Sequence, residues 1–192
     1  GAGILHLFAR KDEDRRVIIN AIGPVWDGNE VWLVTSGGAL FAAFRVAYAT
    51  AFSTFYMPFM MLLCALIFRA AALEFRGKIA SDAWRNIWDI VFAASSFVAA
   101  LLFGVAVGNV LRGMAIEDLV YRGSFHDFLN PFSVLTGLLV VALFTLHGAL
   151  YLRMKVSDGL ATHVERWITR SFRLYVILFV LVTTSAVINI PH

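Results

Sequence analysis

The chain has 192 residues, of which 60% are hydrophobic and 15% charged, with a formal net charge of +3 and a mean hydropathy of +0.77. Soluble domains carry nearer a quarter charged residues, so a water-soluble globular class is excluded, and one membrane-embedded helical domain over residues 1–192 is expected. The lone cysteine, Cys64, rules out an intrachain disulfide, and there is no zinc-type Cys/His spacing, phosphate-binding loop, dinucleotide fingerprint or nucleic-acid-binding basic stripe.

The chain opens GAGILHLFAR, without Met or a signal-peptide pattern, and reads as the tail of a helix that begins upstream. Five apolar segments follow: Asn29–Phe44, Ala47–Phe68, Ile87–Leu111, Pro131–Leu152 and Leu174–Ile190. The second, third and fourth have room for the roughly 20 residues a spanning helix needs. Leu174–Ile190 is slightly short but uncharged, and Asn29–Phe44 is the shortest. If all five cross, thirteen of the 16 basic residues fall on one side and only Arg45, Arg112 and Arg122 on the other. That asymmetry makes the richer side cytoplasmic. Trp26, Trp32, Trp84, Trp88 and Trp167 fall near the same ends, where an indole finds both shielding and a hydrogen-bond partner.

Small residues recur at helical spacing. Ser96, Ala100, Gly104 and Gly108 are four apart, and Ser36, Gly37, Gly38, Ala39, Ala42 and Ala43 crowd the first segment. In lipid such faces let helix backbones approach closely. The loop Gly113–Asn130 is the long polar excursion on the sparsely charged side, and Pro131 restarts the chain.

Few residues can carry chemistry. Asp27 and Glu30 stand three apart at the head of the first apolar segment. Asp27 as N-cap with Glu30 at N3 is close to a capping box. The competing reading is a proton path, since carboxylates at membrane depth are costly and mark such routes. Both readings stay open. His147 lies within a span; it is a haem ligand or relay, or a neutral histidine bonded to a neighbouring helix. It has no companion on a facing span, because His6, His126, His163 and His192 fall in ends or loops. Asp89 has Arg85 four residues before it and Glu74 has Arg76 beside it, the pattern of boundary ion pairs; a polar relay through Asp89 is the weaker alternative. Met57, Met60 and Met61 read as apolar filler.

The run GPVWDGNEVWLVTSGGALFAAF resembles the signature region of subunit II of cytochrome bd-type quinol oxidases, and RRVIINAIGPVWDGN, FRGKIASDAWRNIWD, FGVAVGNVLRG and FLNPFSVLTGLLVVALFTLHGALYL carry the resemblance along nearly the whole chain. Trp26, Gly28, Asn29, Trp32, Gly37 and Gly38 stand at signature positions. Arg45 departs from the family pattern, which has Pro there. The resemblance implies an all-α polytopic transmembrane bundle, about twice this length in full, in a bacterial cytoplasmic (inner) membrane. It implies a heterodimer in which the haem-bearing subunit I holds haems b and d and oxidises quinol. Subunit II would have no metal of its own and no catalytic residue; it would support oxygen reduction to water and help deliver cytoplasmic protons. A structural quinone and a small accessory subunit are further expectations of the resemblance. It places Asp27 at the acidic position of a proton route, with Glu30 as neighbour, and makes His147 a packing or hydrogen-bonding residue. Two other readings compete: half of a proton-coupled secondary transporter, for which no internal repeat is found, and a di-haem anchor, which needs paired histidines on facing helices.

Overall fold

The computed structural model describes residues 1–9, 11–156 and 158–190. Among them the chain is almost wholly helical. A short helix α1 (Ala2–His6) leads into α2 (Asp12–Ala43), α3 (Arg45–Thr54), α4 (Tyr56–Phe75) and α5 (Asp82–Arg112). A small antiparallel hairpin follows, β1 (Ile116–Glu117) with β2 (Val120–Tyr121), and then a 3-10 turn at Phe125–Leu129. Helices α6 (Pro131–Lys155) and α7 (Asp158–Asn189) complete the chain.

Local chemistry explains most boundaries. Helix α2 begins with Asp12, Glu13 and Asp14 in its first turn, where acids complement the positive end of the helix dipole. Helix α6 starts with Pro131 at its first position, and the Asn130 side chain accepts a hydrogen bond from the Ser133 N–H at 2.9 Å. Asn130 also donates to Asn109 Oδ1 at 3.0 Å, while the Asn109 amide donates to the Phe128 carbonyl at 2.9 Å. The polar loop is thereby clamped onto α5.

Four helices are long and apolar enough to cross a membrane among the described residues: Tyr56–Phe75, Asp82–Arg112, Pro131–Lys155 and Gly159–Ile188. Helices α4, α5, α6 and α7 pack in sequence, and α1 wedges between α5 and α6. The α5–α6 contact is the close approach expected of small residues. A Cβ on Gly104 would lie 2.6 Å from Gly137 Cα, and one on Gly108 would lie 2.7 Å from Ser133 Cα. Only glycine lets these backbones meet.

Several expectations need correction. The first apolar segment, Asn29–Phe44, is not a separate helix; it is the later part of α2, which starts at Asp12. Asp27 and Glu30 therefore lie inside a continuous helix and cap nothing. The acids of the first turn claim the N-terminus instead. This segment is also not among the four apolar spans, so the alternation of basic residues that requires a fifth crossing draws no support from length and apolarity. The segment Ala47–Phe68 is broken at Phe55 into α3 and α4. Pro58 lies in the first turn of α4, where a missing N–H is tolerated, but it cannot donate back to Thr54. Among the described residues the small residues 36–43 are met only loosely: Gly38 has nothing within 4 Å of a built Cβ, and Gly37 has only the Phe52 ring at 4.0 Å. The helix breaks after Phe44 with Arg45 at the position where proline was expected; the rings of Phe41 and Tyr48 meet edge to face across that break, and those of Phe52 and Phe59 stack across the one at Phe55. His163 lies on α7 rather than in a loop. Met57, Met60 and Met61 are exposed on the apolar surface of α4 rather than filling a core. Arg10 and His192, which entered the sequence reading, lie outside the described residues.

Candidate functional site

Two polar constellations stand out. The first lines a cavity of about 410 Å³ enclosed by α1, α2, α4, α5 and α6. Helix α2 contributes Trp26, Asn29 and Glu30; α4 contributes Arg69; α5 contributes Ser96; α6 contributes His147 and Tyr151. Apolar walls come from Phe92, Phe103 and Phe144. Helical geometry produces the grouping. Residues 26, 29, 30 and 33 share one flank of α2, being three and four apart, and all four reach the cavity.

Across it, Arg69 Nη1 lies 3.0 Å from Glu30 Oε1. The approach lacks the alignment of a hydrogen bond, and this buried Oε1 has no aligned donor. The pair is therefore a charge contact with spare hydrogen-bonding capacity. Among the described residues the Ser96 hydroxyl is also buried without a hydrogen-bond partner. Such orphans cost free energy unless a further polar group meets them.

The sequence-selected residues separate by face. Glu30 turns inward and pairs with Arg69. Asp27 is exposed and stands outside the cavity lining, and Gly28 is exposed with nothing near it. Trp32 is 69% exposed. Gly37 meets only the Phe52 ring, at 4.0 Å. His147 is exposed yet lines the cavity. Tyr151, one turn further along α6, donates to the Ala21 carbonyl at 3.2 Å and pins α2 beside it.

The second constellation centres on Asp89, which is 1% exposed. Arg15 Nη1 donates to its Oδ2 at 2.8 Å, and Arg76 Nε donates to its Oδ1. Arg76 Nη2 also donates to Asp12 Oδ1 at 2.6 Å. His6, fully buried at the end of α1, places Nε2 2.8 Å from Asp89 Oδ1. That contact too is off the line of a hydrogen bond. The Arg76 hydrogen bond holds the Asp12 carboxyl below the usual range, with Arg16 assisting. Expected helix-neighbour pairs give way here. Arg85 reaches toward Asp12 and Asp82 at 3.5 Å rather than Asp89, and Arg76 serves Asp89 and Asp12 rather than Glu74. His6, expected in a chain end, is among the most buried side chains.

Sequence reasoning placed neither Arg69 nor Arg15 at a site, took Ser96 only as a small packing residue, and gave Arg76 to Glu74. Arg69 left a partial signal: an arginine directly after the apolar run ending at Phe68 calls for a partner, but the sequence does not choose among Asp27, Glu30 and Glu74. Arg15 and Arg76 left none, since their partner is 74 and 13 residues away.

The family model for cytochrome bd terminal oxidase subunit II matches residues 1–191. The chain is 45% identical over 166 residues to the cytochrome bd-I ubiquinol oxidase subunit 2 of Escherichia coli K12, covering 83% of this chain and 44% of that protein. It is 43% identical over 162 residues to a probable cytochrome oxidase subunit 2 of Haemophilus influenzae, covering 82% and 43%. It is 39% identical over 168 residues to the cytochrome bd ubiquinol oxidase subunit 2 of Bacillus subtilis, covering 86% and 50%. The chain thus spans half or less of the length of these relatives.

Proposed function

The chain belongs to the cytochrome bd terminal oxidase subunit II family, and from that premise we propose that this multi-pass membrane chain is part of a subunit that pairs with a haem-bearing partner in a bacterial cytoplasmic membrane. In this reading the assembled oxidase takes electrons from quinol and reduces oxygen to water. Haems b and d, any structural quinone and any accessory subunit are assigned to the assembly. The contribution proposed for this chain is proton delivery.

One observation carries the reading: Glu30 faces a cavity inside the bundle while Asp27, less than one turn earlier, faces outward. A carboxylate can take up and release a proton without leaving its place. Asp27 on the outer flank of α2 is a foothold at the boundary with a partner, and Glu30 is the next such group inward, steadied by Arg69 at 3.0 Å. Ionisable groups at membrane depth mark such paths. The transporter reading has no cavity residue or repeat of its own to support it.

The test is Asp27→Asn and Glu30→Gln in the whole assembled complex. Oxygen consumption is expected to fall about tenfold or more in at least one variant, with haem absorbance unchanged, as loss of a proton-transfer group typically costs. Full turnover and an undiminished proton gradient in both variants would remove proton delivery from this pair.

A further inference from the structure

The exposed flank of α7 carries a feature that proton delivery does not use. Arg166, Arg170 and Arg173 are four and three residues apart and so share one helix face. Together with Thr162 and Thr169 they line a shallow groove of about 320 Å³. Their Cα atoms span roughly 10 Å along the axis. Like charges at this spacing repel, and an unneutralised row destabilises its own helix.

Among the described residues nothing neutralises it. Glu165 borders the groove, but Arg153 Nε donates to its Oε1 at 2.9 Å. Arg166 uses only Nε, toward the Thr162 carbonyl at 3.4 Å. Arg170 and Arg173 make no hydrogen bond or ion pair with the described residues. Directly beyond Arg173 the helix becomes uncharged and lipid-compatible, with Leu174, Ile177 and Val180 all more than half exposed.

We propose that this arginine row binds the phosphodiester headgroup of an acidic phospholipid, whose acyl chains lie along the apolar surface that follows. The chemistry matches at both ends. Guanidinium groups present paired N–H donors to phosphate oxygens, with the Thr162 hydroxyl as an additional donor, since that of Thr169 already donates to the Glu165 carbonyl at 3.1 Å. The switch from arginines to apolar residues within one turn corresponds to the boundary between headgroup and acyl chain. A soluble phosphate would match the arginines but leave the adjoining apolar surface without purpose, which is why the lipid is favoured.

The experiment reconstitutes the whole purified complex in nanodiscs of equal parts phosphatidylglycerol and phosphatidylcholine, re-extracts it mildly, and counts retained lipids by native mass spectrometry. Retained phosphatidylglycerol is expected to drop at least threefold in the Arg170→Gln/Arg173→Gln complex, and to stay near the parent level in the Arg170→Lys/Arg173→Lys complex, on the order of a 0.65 kcal/mol change or more for the glutamine pair. If the glutamine pair fails to assemble, Arg166→Gln alone is scored in the same way. Unchanged retention, equal retention of phosphatidylcholine, or displacement by millimolar inorganic phosphate would each overturn the proposal. So would burial of these arginines under a partner chain.

Discussion

Asp89 stands four residues after Arg85, the spacing of an ordinary helix-surface ion pair, yet the groups that reach it are Arg15 from α2 and Arg76 from the end of α4. The physical reason is burial. A carboxylate 1% exposed needs its acceptor positions filled, and Arg15 and Arg76 fill them while Arg85 turns to Asp12 and Asp82. Breaking a buried ion pair from one side costs about 3–5 kcal/mol, because the remaining charge is stranded. Asp89→Asn is therefore expected to lower the unfolding free energy of the solubilised complex by that order. A variant that unfolds at the parent midpoint would show that water, not Asp89, carries the arginine charges. His6 could not have been placed at this site from the sequence, since a histidine near a chain end carries no local sign of burial.

At the scale of elements, the four long apolar helices and the start of α6 at Pro131 were legible because length, apolarity and capping chemistry act locally. That α5 meets another helix closely was legible too, from small residues at intervals of four, but that the partner is α6 was not. The tightness of this contact makes a direct prediction. Gly104→Val would drive a side chain into the Gly137 backbone, where even a Cβ stands 2.6 Å from Cα. Overpacking of this kind costs roughly 1–3 kcal/mol, so the melting temperature of the purified complex should fall, and less so for Gly104→Ala. An unchanged melting temperature in both would mean the helices separate without penalty. Helix α2 was misread for an equally local reason. Asp-x-x-Glu before an apolar run looks like a helix start, but nothing between Asp12 and Asp27 stops a helix except Pro24, and the helix runs through it. Pro24 leaves the Asn20 carbonyl without its helix donor, and in the same turn the Ala21 carbonyl accepts from the Tyr151 hydroxyl at 3.2 Å.

Over the whole molecule, the ionic cluster ties α1, α2, α4 and α5 together at one end, while the later part of α2 leaves the bundle with its signature residues exposed. Asp12 gives this tie a pH dependence. Its carboxyl is held below the usual range by Arg76, so its contribution is fully present above the ordinary aspartate value and is lost as pH falls through and below about 4. Unfolding midpoints of the parent and of Asp12→Asn should differ near pH 7 and converge toward pH 3. A constant gap across that range would detach the Asp12–Arg76 pair from stability.

Composition and hydropathy alone determined that this is a polytopic helical membrane protein, because burial in lipid is decided by average chemistry over about 20 residues. The same sequence also carried the family, through a run of residues from Trp26 to Gly38 whose order is specific. It did not decide which of two neighbouring carboxylates faces inward, which arginine meets each acid, or that a histidine near the chain end lies in the core. Those depend on helix rotation and on contacts between residues far apart in the chain, and only the packed bundle sets them.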